Sequence, residues 1–124
     1  EDWDTRRVQS LSRMFQYAIR FNQPIGTWDV SNVSNMDGMF KNATSFNQPI
    51  GDWDVSQVRV MNEMFKNATR FNQPIGGWTT SAVKDMSYMF HDASSFNQEL
   101  CWTTSAVDTS MFTGSSGSLA ETCE

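Results

Sequence analysis

Few of the features that usually announce a task are present. The 124 residues include one His, two Cys and three Pro, and no Lys/Arg cluster longer than Arg6-Arg7. A duplex binder needs a basic stripe to neutralise phosphates, whereas here nine basic residues face fourteen acidic ones, a net charge of −5. No nucleic-acid partner is therefore expected. No apolar run approaches the length that crosses a bilayer, so no transmembrane segment is expected either. A signal-peptide apolar region is lacking, and the chain starts at Glu1 rather than Met, which reads as a processed or excised piece of a longer precursor. There is no nucleophile–base pair, metal-ligand cluster, phosphate loop or dinucleotide fingerprint, so the expectation is no enzyme, no cofactor and no metal.

Apolar residues (39%) and charged residues (19%) both fall below ordinary globular usage, and Asn, Gln, Ser and Thr fill the gap. Nine Phe and five Trp nevertheless exclude a disordered tail. These aromatics recur every 25 residues. Phe21, Phe46, Phe71 and Phe96 each open a Phe-Asn-Gln triplet; Pro24, Pro49 and Pro74 follow, with Glu99 the exception. Ile25, Ile50, Ile75 and Leu100 form the next column, then Trp3, Trp28, Trp53, Trp78 and Trp102, then Val8, Val33, Val58, Val83 and Val107. About five copies fill the chain. Columns that never change are expected to be buried or conformationally restricted, and drifting ones such as Thr27/Asp52/Gly77 to face solvent.

Each period divides in two. Val33, Met36, Met39, Phe40 and Ala43 fall at i, i+3, i+6, i+7 and i+10, one stripe of a short helix. Ser31, Ser56, Ser81 and Ser105 stand where they would cap it. Trp28 and Val30 alternate around Asp29 as a short strand would, with Gly26, Gly51 and Gly76 supplying a sharp bend before it. Such units cannot close a core alone; stacked in parallel at about 4.8 Å they would share one. The expected fold is thus a repeat solenoid, leucine-rich-repeat-like, with a short parallel strand and a short helix per 25-residue turn. It forms one domain over residues 1–124, with 98–124 as a divergent C-terminal cap.

The pattern Ile-x-x-Trp-x-Val, then Val, Met and Met-Phe-x-x-Ala, resembles the BspA-type leucine-rich repeats. Closer still is its similarity to the 25–26-residue variety, rich in F-N-Q-P-I and W-D-V-S, of Mycoplasma-type surface lipoproteins and many microbial eukaryotes. The resemblance covers residues 3 to about 113. It implies a leucine-rich-repeat-like solenoid with a cell-surface or secreted binding role, and it carries no catalytic residues.

The two ends differ from the repeat. Cys101 and Cys123 occur only in the divergent end; paired, they would close a loop of about 22 residues and stabilise by roughly 3 kcal/mol. A disulfide implies an extracellular, cell-surface or other oxidising or lumenal compartment. At the other end Glu1-Asp2-Trp3 begins in mid-repeat, leaving an open edge that upstream repeats or a partner would cover.

Asp4, Asp29 and Asp54 share one outward position, continued by Thr79 and Thr103. As a ladder they would repel one another and suit a weak cation site or an acidic recognition face; the plainer alternative, which the sequence favours, is that each Asp caps a local turn or the next helix start. Asn22, Asn47, Asn72 and Asn97 read as a structural asparagine ladder, and the Met columns as core filler. His91, with Gln16, Lys41 and Lys66 as counterparts, reads as a surface residue. Asn32, Asn42 and Asn67 match the N-glycosylation pattern. The functional expectation is a non-enzymatic solenoid of a surface or secreted protein that binds protein or glycan through the Asp4, Asp29, Asp54, Thr79 and Thr103 face. The alternative is an architectural subunit of a larger complex, docked through the open N-terminal edge.

Overall fold

The computed structural model describes residues 3–104, 106, 110–121 and 123. Ser105 and Val107, members of the Ser and Val columns, lie outside the described residues. Among the described residues there is no helix, and a single two-stranded sheet: β1 (Glu99–Leu100) pairs in parallel with β2 (Ser118–Leu119), Glu99 opposite Ser118 and Leu100 opposite Leu119. This overturns the expected solenoid turn of one strand plus one helix.

What replaces the helix is a run of tight turns. The Met39 amide donates to the Met36 carbonyl, Lys41 to Gly38 and Ala43 to Phe40, each three residues back. The amides between them point elsewhere: Met36, Gly38, Phe40 and Asn42 donate to the carbonyls of Val60, Asn62, Met64 and Lys66, one repeat further on. Leu11, Arg13, Phe15 and Tyr17 donate in the same way to the second coil, and Met61, Glu63, Phe65 and Asn67 to the fourth. A helix would spend all these amides internally. Here every second one ties a coil to its neighbour, and the chain forms a layered stack of 25-residue coils.

The alternation places a left-handed residue at the third position of every second turn, where positive φ favours Gly or Asn. Gly38 (φ 58), Asn42 (φ 60) and Asn67 (φ 59) supply it. Arg13, Tyr17, Glu63, Tyr88 and Asp92 adopt the same conformation with φ between 56 and 62. The inward stripe survives this change: Val33, Met36, Met39, Phe40 and Ala43 are all fully buried.

The expected strand at Trp28–Val30 is also absent. Trp28 closes a turn on Ile25 and Val33 one on Val30. Parallel bridges occur instead at one residue per coil, linking Ser10, Asn35, Val60 and Asp85 in series. Gly26 and Gly51 serve close approach rather than a bend of unusual φ. A Cβ on Gly51 would lie 2.6 Å from the Pro74 carbonyl oxygen of the next coil, whereas Gly76 has open space around it.

The core lies along the stack axis as aromatic columns. Phe15, Phe40, Phe65, Phe90 and Phe112 stack at 5.4–5.7 Å, and Phe21, Phe46, Phe71 and Phe96 at 5.7–6.0 Å. Within one coil Phe40 meets Phe46 at 4.1 Å. Buried indoles keep their N–H satisfied: Trp53, Trp78 and Trp102 donate to the Ile25, Ile50 and Ile75 carbonyls at 3.0–3.1 Å. The Met columns from Met36 to Met111 are buried among these rings. An asparagine ladder completes the layers. The Asn47, Asn72 and Asn97 amides donate to the side-chain oxygen of the Asn one coil earlier, at 2.9–3.2 Å, while Gln48 and Gln73 donate to that residue's carbonyl as well.

Candidate functional site

Asp4, Asp29, Asp54, Thr79 and Thr103 all lie exposed on the outside of successive coils. The three Asp side chains are engaged locally. Asp29 Oδ1 accepts the Ser31 amide at 3.0 Å and the Ser31 hydroxyl at 2.5 Å; Asp54 holds Ser56 the same way, at 3.0 and 2.6 Å. This is the turn that an Asx side chain makes with the backbone two residues on. It also answers the Ser column: Ser31 and Ser56 serve these turns and cap no helix. Both carboxyls are held below the usual carboxylate range, chiefly by the serine hydroxyl and then by the serine amide. Repulsion from Asp29 is the smallest influence on Asp54, so the ladder is set by its turns rather than by charge on charge. Asp4 accepts the Arg6 amide and forms an exposed ion pair with the Arg6 guanidinium at 3.3 Å.

Other residues singled out by the sequence are tied into the stack. Asn32 Nδ2 donates to the Arg6 carbonyl at 2.6 Å. Asn42 and Asn67 are half-buried in left-handed turns, their backbone amides donating to the next coil. His91 is also half-buried rather than a plain surface residue. Its ring lies edge-on to Tyr88 at 5.6 Å, its Nε2 is 3.6 Å from Asp92, and its buried Nδ1 has no hydrogen-bond partner among the described residues. Among the described residues no group of three or more His, Cys, Asp or Glu is placed to hold a metal ion. Nor, among the described residues, is any helix long and apolar enough to cross a membrane.

At the C-terminal end Cys101 and Cys123 form a disulfide, both residues being exposed, with Cα atoms 5.7 Å apart. The segment it anchors lies against the last full coil. Phe112 stacks on Phe90 at 5.4 Å, and the amides of Phe90 and Asp92 donate to the Met111 and Thr113 carbonyls.

The N-terminal end is built differently. Met14 is 41% exposed where Met39, Met64 and Met89 are fully buried, and Phe15 and Phe21 are only half-buried. Trp3, Phe15, Phe21, Ile25 and Trp28 line an aromatic cleft of about 250 Å³ there. Beside it runs a row of backbone acceptors. In the second coil the carbonyls of Asn35, Asp37, Met39 and Lys41 receive the amides of Leu11, Arg13, Phe15 and Tyr17. Their first-coil equivalents, the carbonyls of Ser10, Ser12, Met14 and Gln16, accept no hydrogen bond among the described residues. Trp28 Nε1 likewise lacks the partner that each of Trp53, Trp78 and Trp102 has.

Sequence reasoning missed Ile19, which is 58% exposed. The signal was available, since Ile19 occupies the column of Thr44, Thr69 and Ser94. It also missed an open groove of about 530 Å³ running past Pro24, Pro49 and Pro74 beside Gly26 and Gly51.

The sequence model of the family described as Mycoplasma protein of unknown function, DUF285, matches residues 1–102. That match accords with the Mycoplasma-type repeat and does not extend to a leucine-rich-repeat assignment. No curated protein and no solved structure matches the chain.

Proposed function

We propose that this chain, which belongs to that Mycoplasma family of unknown function, is a non-enzymatic interaction module that docks a protein partner through the N-terminal end of its stack. The observation that carries this reading is the pairing of an aromatic cleft with a row of carbonyls that accept no hydrogen bond among the described residues. Apolar surface supplies the driving force, and unpaired backbone groups at an edge supply direction. The disulfide suits an oxidising setting, so the module works at the cell surface or in a secreted protein.

A second reading places protein or glycan binding on the outward face of Asp29, Asp54, Thr79 and Thr103. In its favour, one Asp oxygen is committed to the turn and the other remains available on an exposed face. Native mass spectrometry of the protein from its own source separates the two. Under the first reading a stoichiometric complex forms and is lost with Met14→Glu. A complex that survives Met14→Glu and dissolves with Asp29→Asn and Asp54→Asn contradicts it and supports the second.

A further inference from the structure

We infer that the bridged side of the stack binds an acidic polysaccharide, a linear sugar chain bearing carboxylate or sulfate groups, whose charges are met by Arg7, Arg59 and Lys84. This site is separate from the N-terminal end and from the Asp column. It is built by a two-residue alternation. Val33, Val58 and Val83 are fully buried, so the residues directly before and after each of them point outward together. In successive coils these outward pairs are Arg7 and Gln9, Asn32 and Ser34, Gln57 and Arg59, and Ala82 and Lys84. No acidic residue occurs among them. Over the first three coils they line an open groove of about 490 Å³.

Four other cations are spent on neighbours: Arg6 pairs with Asp4, Arg13 with Asp37, and Lys41 and Lys66 with Glu63. Arg7, Arg59 and Lys84 are exposed without such a partner among the described residues, and the Gln9 and Gln57 side chains are equally unengaged there. Three charges and two carboxamides thus face one surface of an acidic chain. The backbone beneath them is closed, because the Ser34, Arg59 and Lys84 amides donate to the Gln9, Ser34 and Arg59 carbonyls at 2.7–2.9 Å. With no strand edge to extend, a peptide would forgo the main-chain bonds that anchor an added strand. Recognition falls to side chains, and carboxamides and Ser34 can both give to and accept from sugar hydroxyls. A DNA duplex carries a charge about every 1.7 Å, which three cations cannot match; a sparsely charged sugar chain suits them. Asp54, three residues before Gln57 on the flanking column, opposes any anion that enters.

The test titrates the full chain with polygalacturonate, dextran sulfate, neutral dextran and polyglutamate, and follows binding by calorimetry. Saturable binding of polygalacturonate or dextran sulfate and none of dextran is expected, and the tighter of the two identifies the anionic group. Replacing Arg59→Gln and Lys84→Gln together should weaken it about tenfold, while Arg59→Lys with Lys84→Arg should retain it. Asp54→Asn keeps a side chain able to make the same turn and should strengthen binding about twofold. Met14→Glu should leave it unchanged, which separates this site from docking at the N-terminal end. Failure of both acidic polysaccharides to bind, or binding indifferent to the paired Gln substitutions, overturns the site. Polyglutamate bound as tightly as the sugars overturns the polysaccharide in favour of an acidic peptide.

Discussion

At the C-terminal end Phe90 carries Phe112 on its outer side and the Phe90 and Asp92 amides donate to the Met111 and Thr113 carbonyls; at the N-terminal end Phe15 and Phe21 are half-exposed and four carbonyls accept no hydrogen bond among the described residues. The residues at the two ends come from the same columns. What differs is whether the described residues include a further layer. Met14 and Met39 share a column and a turn, yet one is 41% exposed and the other fully buried. Burial in this molecule belongs to the neighbouring coil more than to the residue, as expected of a stack in which each unit contacts only the next.

The sharpest way to break that comparison is to truncate one column at two heights. Phe65→Ala in the interior should cost about 3–5 kcal/mol, and Phe15→Ala at the open end about half as much, because its ring has already lost one stacking face. Chemical denaturation of the two variants measures this, and equal costs would contradict nearest-neighbour burial. Opening the closed end is the next largest effect. Replacing Cys101 and Cys123 together by Ser should lower stability by roughly 3 kcal/mol, read from the denaturation midpoint. It should also expose the half-buried Leu119 to solvent probes.

Much of this was legible from the sequence because an in-register stack gives each column one environment. The Phe, Trp, Met and Val columns therefore announced themselves as core before any fold was known. The backbone between them was not legible. A spacing of i, i+3, i+6, i+7 and i+10 is shared by a helix face and by turns that alternate local and inter-coil amides. The discriminating signal was Asp37-Gly38, a turn-forming pair, with Asn42 and Asn67 at the next left-handed position. Arg13, Glu63 and Tyr88 occupy the Gly38 position in the other copies and hid that signal. The Asp column was legible in type only: its Asp-x-Ser spacing fits a local turn, and the structure shows that turn.

Smaller effects sharpen the picture. Gly51→Ala should destabilise by about 1–3 kcal/mol by driving a methyl into the Pro74 carbonyl, while Gly76→Ala, in open space, should be neutral or slightly stabilising. Thr80 replaces Val30 and Val55 at a fully buried position and leaves its hydroxyl without a partner among the described residues. Thr80→Val should therefore raise the thermal midpoint, by the equivalent of about 1 kcal/mol.

Acid gives the gentlest probe. Burial pushes Glu63 upward, but Lys66 and Lys41, each 3.3 Å away, outweigh it and hold the carboxyl below its usual range, as their serines do for Asp29 and Asp54. A carboxyl depressed in the fold contributes stability that is present above its unfolded value. That contribution is lost as pH falls through the folded value. Urea midpoints should thus be flat from neutral pH to about 5 and fall below about 4, and Glu63→Gln should reduce the slope.

The central claim is that alternate amides join one coil to the next instead of closing a helix. Scalar couplings across hydrogen bonds, measured by NMR on uniformly labelled protein, test it most directly. The account predicts coupling from the Phe40 amide nitrogen to the Met64 carbonyl carbon, and from Phe65 to Met89, across bonds of 2.9 and 2.8 Å. Coupling from Phe40 to Met36, four residues back, would restore the helix and contradict it.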